Sequence, residues 1–130
     1  MTAVDRVTQC IVGWRVVRER NHRVMQPMID QMPQARQYFS DDLDTYHTLI
    51  YTPGQHRVAP GKSETYSVEG DNSDLRHYLA RLARRSRCFS RSIHALRHAV
   101  HLFVYCYNQR QLYKQRFPTY PSALIDFVCP

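Results

Sequence analysis

The sequence predicts a mixed α/β domain, and three observations lead to that fold class. The chain has 130 residues, 43% of them hydrophobic, which is enough for one domain with a substantial core. A run of β-branched and aromatic residues at 8–17 (TQCIVGWRVV) is typical of a strand. Later segments carry apolar residues at spacings of three and four, as helices do. The predicted order is strand, helix, strand, helix, loop, helix, helix.

The N-terminal part predicts a turn, a strand and a capped helix. The Asp-Arg pair at 5–6 indicates a turn before the strand, which leaves residues 2–4 as the stub of a preceding strand. Residues 21–31 have apolar side chains at helical spacing, and Asn21 is a suitable N-cap. Pro27 lies inside this pattern and marks either the true first turn or a kink.

The middle of the chain predicts a strand that runs into acidic residues. Residues 37–40 (QYFS) form the short apolar run, and residues 43–51 predict a short helix. Residues 52–67 contain prolines and glycines and predict a loop, with a short strand near 56–59. The acidic residues after the strand are Asp41, Asp42 and Asp44.

Two helices are predicted in the C-terminal half. Residues 68–84 have an apolar stripe made of Leu75, Leu79 and Leu82. Residues 93–116 form a longer helix, which Pro118 ends. The stripe of this longer helix comprises Ile93, Leu96, Val100, Phe103 and Tyr107.

Charge is distributed unevenly along the chain. Residues 1–74 carry eight Lys/Arg and ten Asp/Glu, a net charge of −2, whereas residues 75–130 carry ten Lys/Arg and one acid, a net charge of +9. This polarity favours an anionic partner for the second half, most commonly nucleic acid, although a solvated basic face has the same composition. The arginines suited to phosphate contact are Arg76, Arg81, Arg84, Arg85, Arg87, Arg91 and Arg97.

The cysteines and the N-terminus indicate an intracellular protein. None of the four cysteines forms a CxxC pair, so neither a zinc ribbon nor a thioredoxin motif is predicted. The first twenty residues lack the apolar stretch of a signal peptide, and no apolar run is long enough to span a membrane. We therefore expect a cytoplasmic location and reduced thiols.

Three stretches resemble the C-terminal part of the catalytic domain of insertion-sequence-one type DDE transposases. The most specific is 67–92 (SVEGDNSDLRHYLARLARRSRCFSRS), which is similar to the Glu-bearing helix of that family. The phrase at 40–49 (SDDLDTYHTL) resembles the segment with the second catalytic Asp, and 4–16 (VDRVTQCIVGWRV) resembles the core hairpin. The resemblance covers nearly the whole chain.

The resemblance implies an RNase H-like (retroviral-integrase-like) fold, a mixed sheet with flanking helices that is N-terminally incomplete. Residues 1–130 would be one partial catalytic domain, with the strand and helix core in 1–66 and the Glu-bearing helix and long basic helix in 67–130. Asp41 matches the second catalytic Asp and Glu69 the catalytic Glu. The DNA-binding residues implied are Asn72, Arg76, Arg81, Arg84, Arg85, Arg87 and Arg91.

The activity implied is cleavage and joining of DNA strands, including transposon ends and target, by two-metal phosphoryl transfer. Asp41 and Glu69 would be both catalytic residues and ligands of Mg²⁺ or Mn²⁺. The residues alone leave other readings open, since the acids near Asp41 are also typical of a turn or helix cap and Glu69 of a helix first turn. Only the resemblance selects Asp41 among its neighbours.

The chain departs from the family in one respect that bears on activity. No residue matches the first catalytic Asp, because Asp5 lies only 36 residues before Asp41 (41 − 5) and the family places two more strands in that interval. We therefore expect the chain to be inactive alone and to expose a sheet edge that favours self-association. The alternatives are a non-catalytic DNA-binding module and a regulatory fragment that associates with full-length transposase through its long C-terminal helix.

Overall fold

The computed structural model describes residues 1–17, 19–59, 66–79 and 92–118, which form short strands and helices in alternating order. The strands are β1 (Thr2–Val4), β2 (Ile11–Trp14), β3 (Gln37–Ser40) and β4 (Gln55–Val58). The helices are α1 (His22–Gln31), α2 (Asp44–His47), α3 (Tyr66–Tyr78) and α4 (Ile93–Arg116). The α/β class and the predicted order are confirmed. The remainder of the helix predicted at 68–84 lies outside the described residues.

The strands of the described part form two sheets, each with two strands. β1 and β2 are antiparallel, with Thr2 opposite Trp14 and a bulge that brings Val4 opposite Ile11. β3 and β4 are parallel and run in register from Gln37 opposite Gln55. The sequence predicted a single mixed sheet, whereas the described strands form one antiparallel pair and one separate parallel pair.

A side-chain turn delays the start of β2 relative to the prediction of a strand at 8–17. The Asp5 carboxylate accepts hydrogen bonds from the Thr8 backbone N–H at 2.8 Å and from the Thr8 hydroxyl at 2.6 Å. These bonds hold the pKa of Asp5 below its ordinary value. Gln9 then adopts a φ of 56°, so the extended backbone begins only at Ile11.

Helix α1 forms as the sequence predicts, with Asn21 as its N-cap. The Asn21 side-chain oxygen accepts a hydrogen bond from the Val24 N–H at 3.1 Å. Pro27 lies inside the helix rather than in its first turn. Met25 and Met28 are the buried residues of this helix.

Helices pack on both faces of the β1–β2 pair. On one face, α3 and α4 enclose the core cluster, which comprises Ile11, Leu75, Val100, Val104 and Tyr107. On the other face, α1 approaches Gly13, where an added Cβ would lie 2.6 Å from Met32 Cγ and 3.5 Å from Ala3 Cβ. The β1–β2 pair is therefore a layer between helices, and the Asn108 side chain of α4 bonds to the Ile11 backbone at the edge of β2.

Candidate catalytic cavity

A cavity of about 500 Å³ lies between β1 and β3. Its strand-side walls are formed by residues 1–6 and residues 37–41. Helices α1 and α3 form the two remaining walls. The residues from α1 and its C-cap are Met25, Met28, Ile29 and Met32, and the residues from α3 are Val68, Glu69, Asn72 and Arg76.

Asp41 stands at the C-terminal end of β3 and lines this cavity as an exposed carboxylate. The buried Ser40 hydroxyl donates a hydrogen bond to the Asp41 backbone carbonyl at 2.8 Å. Because a hydroxyl has a single proton, His56 Nε2 donates to the same Ser40 oxygen at 2.8 Å. These two bonds fix the backbone that carries the Asp41 carboxylate. The neighbouring Asp42 carboxylate instead contacts His47 Nε2 at 3.1 Å.

His56 belongs to an aromatic group behind Asp41. Its ring stacks on Tyr51 with a centroid separation of 4.5 Å, and the His47 ring meets it edge-on at 5.9 Å. Burial, with a smaller contribution from the His47 charge, lowers the pKa of His56 below its ordinary value. Sequence reasoning did not select His56 or Ser40, and their only signal was a position on the strands beside the acidic cluster.

Glu69 lies in the first turn of α3 and lines the same cavity as Asp41. Asn72 and Arg76 follow at spacings of three and four residues, which places all three on one helix face. The Thr2 hydroxyl donates a hydrogen bond to Asn72 Oδ1 at 3.0 Å and thereby ties α3 to β1. The structure thus brings four of the sequence-predicted site residues to one cavity: Asp41, Glu69, Asn72 and Arg76.

Positive charges share these walls with the carboxylates. The Met1 ammonium group donates to the Arg15 backbone carbonyl at 3.0 Å. Burial, followed by the charges of Arg20 and Arg76, lowers the pKa of this ammonium group. Arg20 and Arg76 also line the cavity. No motif had pointed to Arg20 or to the N-terminal amine.

Two tyrosine hydroxyl groups complete the polar surface near Asp41. Burial, followed by the negative charge of Asp41, raises the pKa of Tyr46. Burial, followed by the proximity of Tyr46, raises the pKa of Tyr51 to about 12. Both phenols therefore stay protonated near neutral pH and can donate hydrogen bonds.

The donor chemistry suits a hard cation, although the described residues contain no group of three or more His, Cys, Asp or Glu side chains arranged to hold one. Mg²⁺ prefers oxygen ligands and is commonly bound through one or two carboxylates together with waters and substrate phosphates. Asp41 and Glu69 are exposed carboxylates that line the same cavity, so their chemistry fits this way of binding Mg²⁺. The remaining predicted DNA-binding residues, Arg81, Arg84, Arg85, Arg87 and Arg91, lie outside the described residues.

A family model described as IS1 transposase matches residues 1–113 of the chain. The chain belongs to the IS1 transposase family. The match includes every residue that lines the cavity and reaches into the last turns of α4. No curated protein and no solved structure matches this chain. Among its described helices, none combines the length and the apolar character required to cross a membrane.

Proposed function

We propose that this chain contributes Asp41 and Glu69 to a DNA strand-cleavage and strand-joining site that uses divalent cations. Membership of the IS1 transposase family supports a role in DNA transposition. The observation that carries the finer proposal is the shared cavity, which Asp41 and Glu69 line together with Asn72 and Arg76.

The proposed chemistry is phosphoryl transfer, in which the protein positions the reactants and neutralises charge. Mg²⁺ or Mn²⁺, when bound, would supply Lewis acidity and activate the attacking oxygen. Asp41 and Glu69 would hold the cation through oxygen atoms, and their mutual repulsion would be relieved by its charge. Arg76 and Asn72 would contact phosphate oxygens, because a guanidinium and an amide both donate hydrogen bonds.

DNA would be bound along the arginine-rich segment that continues from α3. Arg76 is the described member of this series, and the others proposed are Arg81, Arg84, Arg85, Arg87 and Arg91. Phosphate contacts of this kind supply affinity without reading sequence, so binding should weaken steeply as salt is raised.

The 130-residue chain on its own is proposed to bind DNA without turning over. Asp41 and Glu69 are two carboxylates, whereas the site of a DDE transposase uses three. Purified chain with Mg²⁺ and DNA ends is therefore expected to give neither cleaved nor joined products. Strand transfer by the chain alone would contradict this part of the proposal.

The direct test is cation binding rather than turnover. Asp41→Asn and Glu69→Gln each remove one anionic oxygen donor, and Mn²⁺ affinity, followed by electron paramagnetic resonance of the free ion, should fall at least about tenfold in each. Asp42→Asn is the matched control, because the Asp42 carboxylate contacts His47 and does not line the cavity. Equal Mn²⁺ affinity in all three variants and the parent chain would exclude Asp41 and Glu69 as ligands.

DNA binding separates the catalytic proposal from a pure binding module. The two carboxylate variants should retain DNA affinity measured without divalent cations, because they remove no positive charge. Arg76→Ala should weaken it and reduce its salt dependence. If the carboxylate variants behave as the parent chain in every assay with Mg²⁺ present, a non-catalytic DNA-binding module becomes the better account.

One observation favours the second candidate function, a regulatory fragment that associates with full-length transposase. The outward side of α4 exposes Leu102 (63% exposed), Tyr105 (60%) and Leu112 (47%) at spacings of three and seven residues. An exposed apolar stripe of this kind is typical of a helix that binds another helix. Co-purification with intact transposase that is lost in Leu102→Lys would support this candidate.

A further inference from the structure

The β3–β4 pair brings a histidine into contact with the end of the strand that precedes Asp41. The two strands are parallel and in register, with Tyr38 opposite His56. Residues two apart on a strand carry their side chains on the same face, so Ser40 and His56 share one face of the pair. Ser40 Oγ and His56 Nε2 are joined there at 2.8 Å. His56 is thereby bonded to the last residue of β3.

Ser40 transmits this contact to the Asp41 backbone. It is only 8% exposed, and its own backbone carbonyl accepts a hydrogen bond from the Ala59 N–H at 3.0 Å. β3 ends at Ser40, so the Asp41 carbonyl lies beyond the strand, where the Ser40 hydroxyl bonds to it at 2.8 Å. Ser40 is held through its backbone and through its side chain, and it passes this constraint to the residue that carries the proposed cation ligand.

The single proton of the Ser40 hydroxyl allows two arrangements of these bonds. In the first, the hydroxyl donates to the Asp41 carbonyl, and His56 donates to the Ser40 oxygen from Nε2. In the second, the hydroxyl donates to His56 Nε2, neutral His56 carries its proton on Nδ1, and the Asp41 carbonyl loses its donor. A carbonyl oxygen can only accept, so its 2.8 Å separation from Ser40 Oγ favours the first arrangement. The tautomer of His56 therefore decides whether the Asp41 backbone is held.

The surroundings of His56 hold its ring in one orientation. The ring stacks on Tyr51 with 4.5 Å between centroids and 7° between planes, and the His47 ring meets it edge-on at 5.9 Å. The Tyr51 hydroxyl donates to the Tyr46 carbonyl at 3.1 Å, which anchors the stacked pair to α2. Burial, followed by the His47 charge, lowers the pKa of His56, so the ring is neutral near neutral pH. A neutral ring in a fixed plane presents either a donor or an acceptor to Ser40.

The neighbouring Asp42 is held in a different way. His47 Nε2 contacts the Asp42 carboxylate at 3.1 Å, so this histidine engages the acidic group itself. His56 acts instead on the Asp41 backbone, through the Ser40 hydroxyl. The bond from His56 therefore does not compete with a cation for the Asp41 carboxylate oxygens, whereas the contact from His47 does so for Asp42.

We infer that His56, acting through Ser40 as its Nε2–H tautomer, is a positioning residue that holds Asp41 ready to bind a divalent cation. The inference rests on the proposed function, in which Asp41 is a cation ligand. Neither His56 nor Ser40 touches the cation. Groups that orient a metal ligand raise its affinity because the ligand has less freedom to lose on binding, and their removal commonly lowers affinity about ten- to a hundredfold.

The tautomer is tested in the parent 130-residue chain by NMR of the His56 ring nitrogens near neutral pH. The proton is expected on Nε2. A proton on Nδ1 overturns the inference, because Ser40 must then donate to His56 and not to Asp41. In Ser40→Ala the preference for the Nε2–H tautomer should decrease, since its acceptor is removed, and an unchanged preference would contradict the coupling.

The effect on the cation is tested by Mn²⁺ affinity. His56→Phe keeps a flat ring against Tyr51 but has no donor, so it should lower Mn²⁺ affinity about tenfold, and Ser40→Ala should do the same. The double variant should lose no more than either single variant, because both act on one chain of bonds. His56→Gln places an amide N–H at a similar distance from the backbone and should recover most of the affinity. Thr48→Val is the control, since it removes a hydroxyl that donates to the Thr45 carbonyl at 2.8 Å and should bind Mn²⁺ as the parent chain does.

The outcomes separate this inference from the proposed function. If Asp41→Asn lowers Mn²⁺ affinity but the folded His56→Phe and Ser40→Ala variants do not, the positioning role is overturned and the proposed function stands. Equal losses in His56→Gln and His56→Phe also overturn it, because the donor then makes no difference. If Asp41→Asn leaves Mn²⁺ affinity unchanged, the proposed function falls and this inference falls with it. Should His56→Phe not unfold cooperatively in urea, Ser40→Ala and the tautomer of the parent chain decide the matter.

Discussion

Asn108 provides the sharpest test of how α4 is attached to the sheet. Its side-chain oxygen accepts from the Ile11 N–H at 2.8 Å, and its amide donates to the Ile11 carbonyl at 2.9 Å. The single amide thereby satisfies both backbone groups at the outer edge of β2, where Ile11 is only 3% exposed. Replacing Asn108 by Ala removes both bonds.

The expected loss of stability follows from these two bonds. A buried backbone group left without a partner costs about 1–3 kcal/mol, so two such groups would cost about 2–6 kcal/mol. Asn108 is only half-buried, and water admitted by the smaller Ala side chain would satisfy part of this demand. We therefore expect Asn108→Ala to lower the free energy of unfolding by about 2–4 kcal/mol.

Urea denaturation followed by circular dichroism measures this change, since the midpoint shifts while the slope stays constant. Gln109→Ala is the control, because it truncates the next residue of the same helix and should change stability by less than about 0.5 kcal/mol. Asn108→Asp keeps the acceptor but places an oxygen against the Ile11 carbonyl, so it should also destabilise. If Asn108→Ala and Gln109→Ala lose the same small amount, Asn108 does not hold α4 to the sheet.

Two further predictions concern backbone space and pH. Gly54→Ala would place a Cβ 2.5 Å from the Tyr38 ring and against a backbone carbonyl, so it should cost about 1–3 kcal/mol. A Cβ at Gly70 would meet no atom of the described residues within 4 Å, so Gly70→Ala should stabilise α3 by about 0.5–1 kcal/mol. Urea midpoints of the two variants moving in the same direction would refute this pairing. The folded pKa of His56 lies below its unfolded value. As pH falls through about 6.5, the unfolded chain therefore binds more protons than the folded chain, and the free energy of unfolding decreases. This decrease stops once the pH is below the folded pKa of His56. His56→Gln should remove that part of the acid destabilisation between pH 7 and pH 5, and an unchanged pH profile would exclude the role.

The elements that the sequence predicted well are those whose signals are local. The bounds of α4 follow from its apolar stripe and from Pro118, and the structure places the helix at Ile93–Arg116. The cap of α1 follows from the Asn21 side chain. In both cases the residues that set the boundary are the residues that carry the pattern, so no distant contact was needed.

The elements that were predicted at the wrong length were set by side-chain hydrogen bonds. The strand expected at 8–17 is shortened because Asp5 binds Thr8 in a turn. The helix expected at 43–51 ends at His47, since the Thr48 hydroxyl donates to the Thr45 carbonyl at 2.8 Å and terminates the backbone ladder. Such bonds compete with the backbone hydrogen bonds of helices and strands. A prediction from the spacing of hydrophobic residues does not include them.

In the candidate site, too, some residues were predicted from the sequence and others became evident only from the fold. Asp41 and Glu69 were selected by resemblance to a transposase family, and family membership is now established over residues 1–113. The contributions of Arg20, the Met1 ammonium group and His56 were not predicted, because they come from separate segments that carry no shared motif. Their roles depend on which segments the fold brings together.

By itself the sequence determined the α/β class, the order of the elements and the family, because composition, periodicity and family resemblance are properties of the chain alone. The residues that a transposase site would use remain a prediction. Only the tertiary structure decided that the described strands form two separate pairs whose edges share one cavity with Asp41 and Glu69. The physical reason is that strand pairing is set by contacts between residues far apart in the chain, and a local pattern specifies that an edge exists without specifying what it faces.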